Sequence, residues 1–112
     1  MLKIYIAGPI SRGMWDENIG KAIECYNRLL DMSGIAPYLP HLNFFCALSK
    51  RRETHIWLEQ DKEWLACCDA LLRLPGESRG AEIEIAEAHR LHIPVFYGEE
   101  ELKRYLKGKG MN

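Results

Sequence analysis

The chain has 112 residues, a formal net charge of -1, 47% hydrophobic and 28% charged residues, which fits one globular domain. A chain of this length buries about 65% of the surface its unfolded form exposes, enough for one core and not for two. The near-zero charge excludes a basic field for polymeric nucleic acid, so a nucleic-acid partner would be a monomeric building block.

Leu2 to Ala7 is a short apolar run ending at Gly8-Pro9 and reads as a strand buried on both faces. Trp15, Ile19, Ala22, Ile23, Tyr26, Leu29 and Leu30 then recur at helical spacing, with Gly34 as the expected C-terminal cap. Ile35 to Leu39 is a weaker strand, broken by Pro37 and Pro40. Residues 41–52 read as a loop carrying the basic run Lys50-Arg51-Arg52. A second helix opens near Thr54 and runs to about Cys68, followed by a strand over Ala70 to Leu74 that ends at Pro75-Gly76. A third helix runs from near Gly80 to near Leu91, Ile93 to Tyr97 is a strand, and Glu99 to Leu106 is a final helix. The expected organisation is a single domain over 1–107 and a flexible tail over 108–112.

Strands alternating with helices predict an α/β fold: a small doubly wound, flavodoxin- or Rossmann-like sandwich with roughly four or five parallel strands. Such sheets bind ligands beyond the C-terminal ends of their strands. So small a sheet leaves edges to cover, which points to a homodimer or larger assembly. Nothing approaches the ~20 apolar residues of a membrane span, and MLKIYIAGPI lacks the features of a signal peptide; a cytoplasmic protein is expected. Cys25, Cys46, Cys67 and Cys68 form no CxxC pair, and the histidines match no zinc spacing, so neither disulfide, metal nor cofactor is expected.

Three places can carry chemistry. The loop Gly8-Pro9-Ile10-Ser11-Arg12-Gly13 joins a buried strand to a helix, where backbone N–H groups, a hydroxyl and a guanidinium suit a phosphate; an ordinary tight turn has the same shape. In the second helix, Trp57, Trp64, Leu65 and Cys68 share one face, with Asp61 in its middle. A carboxyl in an apolar stripe is desolvated, its pKa rises, and it suits a proton donor, unless it borders the face and meets a nearby cation. Trp15, Trp57 and Trp64 are expected to be mostly in the core. In the third helix Glu84 lies four residues after Gly80, over which its side chain leans. That leaves room for a substrate, which Glu82 and Glu87 lack.

The order and spacing of Ile4-Tyr5-Ile6-Ala7-Gly8-Pro9, of Asp61 to Leu74 with Cys68-Asp69-Ala70, and of Ser78-Arg-Gly-Ala-Glu-Ile-Glu84 followed by Ala88 and Ile93-Pro94-Val95 resemble the nucleoside 2-deoxyribosyltransferase-like superfamily, including its nucleotide N-hydrolase branch. The resemblance covers most of the chain. It implies that Glu84 is a nucleophile attacking the anomeric carbon, that Asp61 handles the proton of the leaving base, and that Tyr5 orients Glu84. Six residues before the nucleophile, where the transferases carry an aspartate that grips a free sugar hydroxyl, this chain has Ser78, as in the hydrolases, where serine helps bind a 5′-phosphate. A serine donates to a phosphate that an aspartate would repel. The resemblance therefore implies a (deoxy)nucleoside 5′-monophosphate as substrate, held by the first loop, Ser78 and Gly80, and water as acceptor. Base exchange between nucleosides and a catalytically silent nucleotide-binding module are the alternatives. Pro75-Gly76, Gly80 and Glu84 also resemble the phosphoribohydrolases that release cytokinin bases, with a different spacing.

Overall fold

The computed structural model describes residues 1–10 and 13–110. Its elements are β1 (Leu2–Ala7), α1 (Trp15–Leu30), β2 (Ile35–Tyr38), a 3-10 turn (Pro40–Leu42), α2 (Asn43–Ser49), α3 (Thr54–Leu65), β3 (Ala70–Arg73), α4 (Arg79–Arg90), β4 (Val95–Tyr97) and α5 (Glu99–Gly108). The strands form one four-stranded, wholly parallel sheet in the order β2-β1-β3-β4. The expected α/β architecture holds, with the sheet between two helical layers.

Side chains alternate across a strand, so β1 feeds both layers. Ile4 and Ile6 pack with Ala22, Cys25 and Leu29 of α1 and Leu102 and Leu106 of α5. Tyr5 and Ala7 pack on the opposite face with Leu65 of α3 and Ala81, Ile85 and Ala88 of α4. β1 and β3 are central, and Ile4 to Ala7 and all of β3 are buried, which is why they read as apolar runs. Pro37 does not break β2. That strand is an edge, so its missing N–H deprives no neighbour, and Pro37 pairs in register with Ile4.

Several further expectations need correcting. Residues 43–49 are helical, not loop. α1 ends at Leu30 with Asp31 as its cap, whereas Gly34, with φ of 83°, turns the chain into β2 and its carbonyl accepts from Leu2. α3 stops at Leu65, short of Cys68, and α5 continues to Gly108. The tryptophans are not core residues: Trp15 and Trp64 are 45% and 52% exposed and Trp57 is half-buried. The sheet faces are already filled by smaller aliphatic side chains, and the indole rings stack on other aromatics at the surface instead, Trp64 on Tyr38 and Trp15 on Phe44.

From β1 the chain crosses to β2 on one side of the sheet and then to β3 on the other. The loops beyond β1 and β3 therefore diverge and leave a crevice at their C-terminal ends, as such a reversal requires.

Candidate active site

That crevice is a cavity of about 430 Å³. Its walls come from the ends of three strands and from α2 and α3: Gly8 and Ile10 after β1, Pro40 and His41 after β2, Ser78, Arg79, Gly80, Ala81 and Glu84 after β3, Asn43, Phe44 and Ala47 on α2, and Thr54, Trp57, Leu58 and Asp61 on α3.

Glu84 is buried although it is charged in its ordinary state. Its place on α4 follows from the helical period: Ala81, Ile85 and Ala88 fill the sheet face, and Glu84 shares that side of the helix. Tyr5, fully buried on the same face of β1, donates its hydroxyl proton to Glu84 Oε2. Burial is the main reason that the Glu84 carboxyl is pushed up to about 7; the Asp61 charge adds to it, while the Tyr5 hydrogen bond and the Arg73 charge oppose it. Burial, then the Glu84 and Asp61 charges, hold the Tyr5 hydroxyl far above its ordinary range, so Tyr5 stays a neutral donor.

Asp61 is buried on α3, and burial pushes its carboxyl up to about 6 against the opposing hydrogen bond of Asn43, whose Nδ2 donates to Oδ1 at 3.1 Å. The two carboxyls line one cavity, and the Asp61 charge adds to the rise at Glu84.

Of the residues expected to bind phosphate, Gly8, Ile10, Ser78 and Gly80 line the cavity. Ser78 caps α4: its Oγ accepts from the Ala81 N–H at 3.1 Å, leaving its own hydroxyl proton to donate outward. The α4 N-terminus opens onto the cavity with Ser78, Arg79 and Gly80, a helix end where anions are favoured. Among the described residues a Cβ at Gly80 would touch only Leu58, at 3.9 Å. Gly8 and Ile10 line the cavity, and Asn18 Nδ2 ties Ile10's carbonyl to α1 at 3.0 Å. Gly8 owes its identity to packing rather than to a ligand alone, because a Cβ there would lie 2.9 Å from Leu74 Cβ. Pro9 is buried against Gly76 instead of lining the cavity, and exposed Gly13 lies outside it. Ser11 and Arg12 lie outside the described residues.

The loop after β3 is held from below. Arg73, almost wholly buried, donates to the carbonyls of Leu74 and Gly76 and pairs with Glu82 at 3.1 Å. Gly76 has φ of 115°, a conformation glycine favours.

Sequence reasoning missed Asn43, His41 and Arg79. Arg79 was legible as a cation at a helix start beside Ser78. His41 is fully buried beside Gly8, and neither ring nitrogen completes a hydrogen bond to a described residue. Burial pushes it down to about 4 against the nearby Pro9 carbonyl, so it is a neutral imidazole. Among the described residues no cluster of His, Cys, Asp and Glu is arranged to hold a metal, and no helix is long and apolar enough to cross a membrane.

The four-stranded parallel α/β architecture matches the 2-deoxyribosyltransferase-like fold. The chain is similar to a 2-deoxyribosyltransferase from the psychrotolerant bacterium Bacillus psychrosaccharolyticus, with a TM-score of 0.62 and 19% identity over 83% of this chain and 69% of that one. It is also similar to a conserved protein from Enterococcus faecalis V583, with a TM-score of 0.65 and 27% identity over 85% of this chain, which spans only 61% of the Enterococcus protein. Residues 2–98 match the family described as Domain of unknown function (DUF7768), and the chain belongs to that family. No curated protein matches it.

Proposed function

We propose that the protein is an N-glycosidase that hydrolyses the base–sugar bond of a (deoxy)nucleoside 5′-monophosphate. The observation that carries this reading is the pair of buried carboxyls in one cavity, Glu84 oriented by the Tyr5 hydroxyl and Asp61 by the Asn43 amide. Glu84 attacks C1′ as its carboxylate, the C1′–N bond breaks, and the departing base takes the Asp61 proton. Water then attacks C1′, Asp61 takes a proton back, and the Glu84–sugar bond breaks. Positioned proton donors of this kind contribute about 10²- to 10⁴-fold. The Ser78 hydroxyl, the α4 N-terminus and Arg79 support a phosphate on the substrate, with Gly8 and Ile10 lining the same cavity.

The similarity to a 2-deoxyribosyltransferase favours a second reading, base exchange in which a free base replaces water as acceptor. A nucleotide-binding module without turnover on the same fold is the third.

The test is chromatographic release of free base from a panel of ribo- and deoxyribonucleoside 5′-monophosphates and the matching nucleosides, beside Glu84→Ala. Release from monophosphates alone, lost in the variant while nucleotide binding persists, is the expected result. Turnover only when a second base is added selects the transferase. Full activity in Glu84→Ala removes the assignment, and binding without any release selects the silent module.

A further inference from the structure

Asp61 has two carboxyl oxygens, and the protein engages one of them. Asn43 Nδ2 donates to Oδ1 at 3.1 Å, and among the described residues Oδ2 has no hydrogen-bond partner. A carboxyl oxygen accepting an amide N–H is the carbonyl-like oxygen of the protonated acid, so the acid's proton resides on the other. Asn43 is the first residue of α2, a helix with no buried residue. That helix meets the rest of the fold partly through Phe44, which stacks on Trp15 at 4.9 Å between ring centroids and 27° between planes. The titratable groups facing Asp61 are Glu84 from α4, Tyr5 from β1 and Tyr38 from β2. The two tyrosines are register partners on adjacent strands. Burial and then the Asp61 charge hold the Tyr38 hydroxyl above its ordinary range, with the Asn43 amide opposing. Asn43 therefore stands between Tyr38 and Asp61 and is the neutral donor among these groups that addresses the Asp61 carboxyl.

We propose that Asn43 is a positioning residue that keeps the Asp61 proton on Oδ2, the oxygen left free for the departing base. This rests on the glycosidase reading. It makes leaving-group protonation depend on a surface helix. Removing the amide has two effects. The proton is free to sit on either oxygen, and the anion loses a stabilising donor, so the Asp61 pKa rises. Because Asp61 must be protonated to act, the alkaline limb of the rate profile moves to higher pH.

The experiment compares wild type and Asn43→Ala on two nucleotides. One carries an ordinary base; the other carries a base that leaves without taking a proton, 7-methylguanine for a purine-acting enzyme or 5-nitrouracil for a pyrimidine-acting one. The expected result is a loss of about tenfold or more in kcat on the ordinary nucleotide, less than about twofold on the activated one, and an alkaline limb displaced upward. Equal losses on both substrates with an unmoved limb overturn the proposal. If wild type releases no base, the glycosidase reading fails and with it the role at the leaving base. NMR titration of the labelled Asp61 carboxyl then tests the contact itself. An upward shift in Asn43→Ala upholds the placement of Asn43 on Asp61, and an unchanged titration overturns that too.

Discussion

The hydroxyl of Tyr5 and the carboxyl of Glu84, 79 positions apart in the chain, are joined by a buried hydrogen bond between the central strand and α4. Tyr5→Phe keeps the ring that packs on Leu71 and Ala81 and removes only the donor. Buried Glu84 Oε2 then loses its partner, which costs about 1–3 kcal/mol. The carboxylate loses a group that lowers its pKa, so its pKa rises further and the acid limb of the rate profile moves to higher pH. Turnover on the proposed nucleotide substrate is expected to fall by about tenfold or more, and a pH series of initial rates checks both.

The carboxyl pair predicts a narrow bell-shaped pH dependence. In the proposed mechanism Glu84 must be ionised to attack, so rate falls as pH drops below its pKa. Asp61 must be protonated to donate, so rate falls as pH climbs above its pKa. With the two pushed up to about 7 and about 6, the rate maximum lies in that interval rather than at alkaline pH. Asp61→Asn removes the alkaline limb along with most of the rate.

Glu84 also links function to stability. Its ordinary value is 4.5 and its folded value about 7, so between them the folded state binds more protons than the unfolded chain. Stability contributed by the protonated form is complete below the unfolded pKa and is lost as pH rises through the folded one. Glu84→Gln keeps the shape and removes the charge. It is expected to be more stable than wild type at pH 8, by on the order of 2 kcal/mol, and no more stable at pH 4. Denaturant unfolding at the two pH values measures the difference; an equal gain at both contradicts the linkage.

Gly8→Ala places a methyl 2.9 Å from Leu74 Cβ, where two central strands leave no slack. The expected loss is about 1–3 kcal/mol, seen as a lower midpoint in thermal unfolding. The same substitution at Gly80, whose nearest neighbour is Leu58 at 3.9 Å, leaves stability nearly unchanged and weakens nucleotide binding by crowding the space before Glu84.

Much of the candidate site's cavity lining was legible before any coordinates. A buried strand ending at Gly8-Pro9, a carboxyl in the middle of a helix face and a glutamate one turn after a glycine are local patterns, and local geometry carries them into the fold. Asn43 was not legible. Its helix has no buried residue, so Asn43-Phe44-Phe45-Cys46-Ala47-Leu48 shows no amphipathic period to read. The tryptophan stripe misled for a related reason: apolar spacing marks a face but not what covers it.

Backbone propensity and hydrophobic period thus determined most of the elements, though not α2, and the parallel sheet, because those depend on neighbours within a turn or two of the chain. The tertiary structure decided the strand order, and with it that Tyr5 meets Glu84 and that Asn43 meets Asp61. Those contacts join residues far apart in sequence, and the cavity's two raised carboxyls exist only because folding removes both from water.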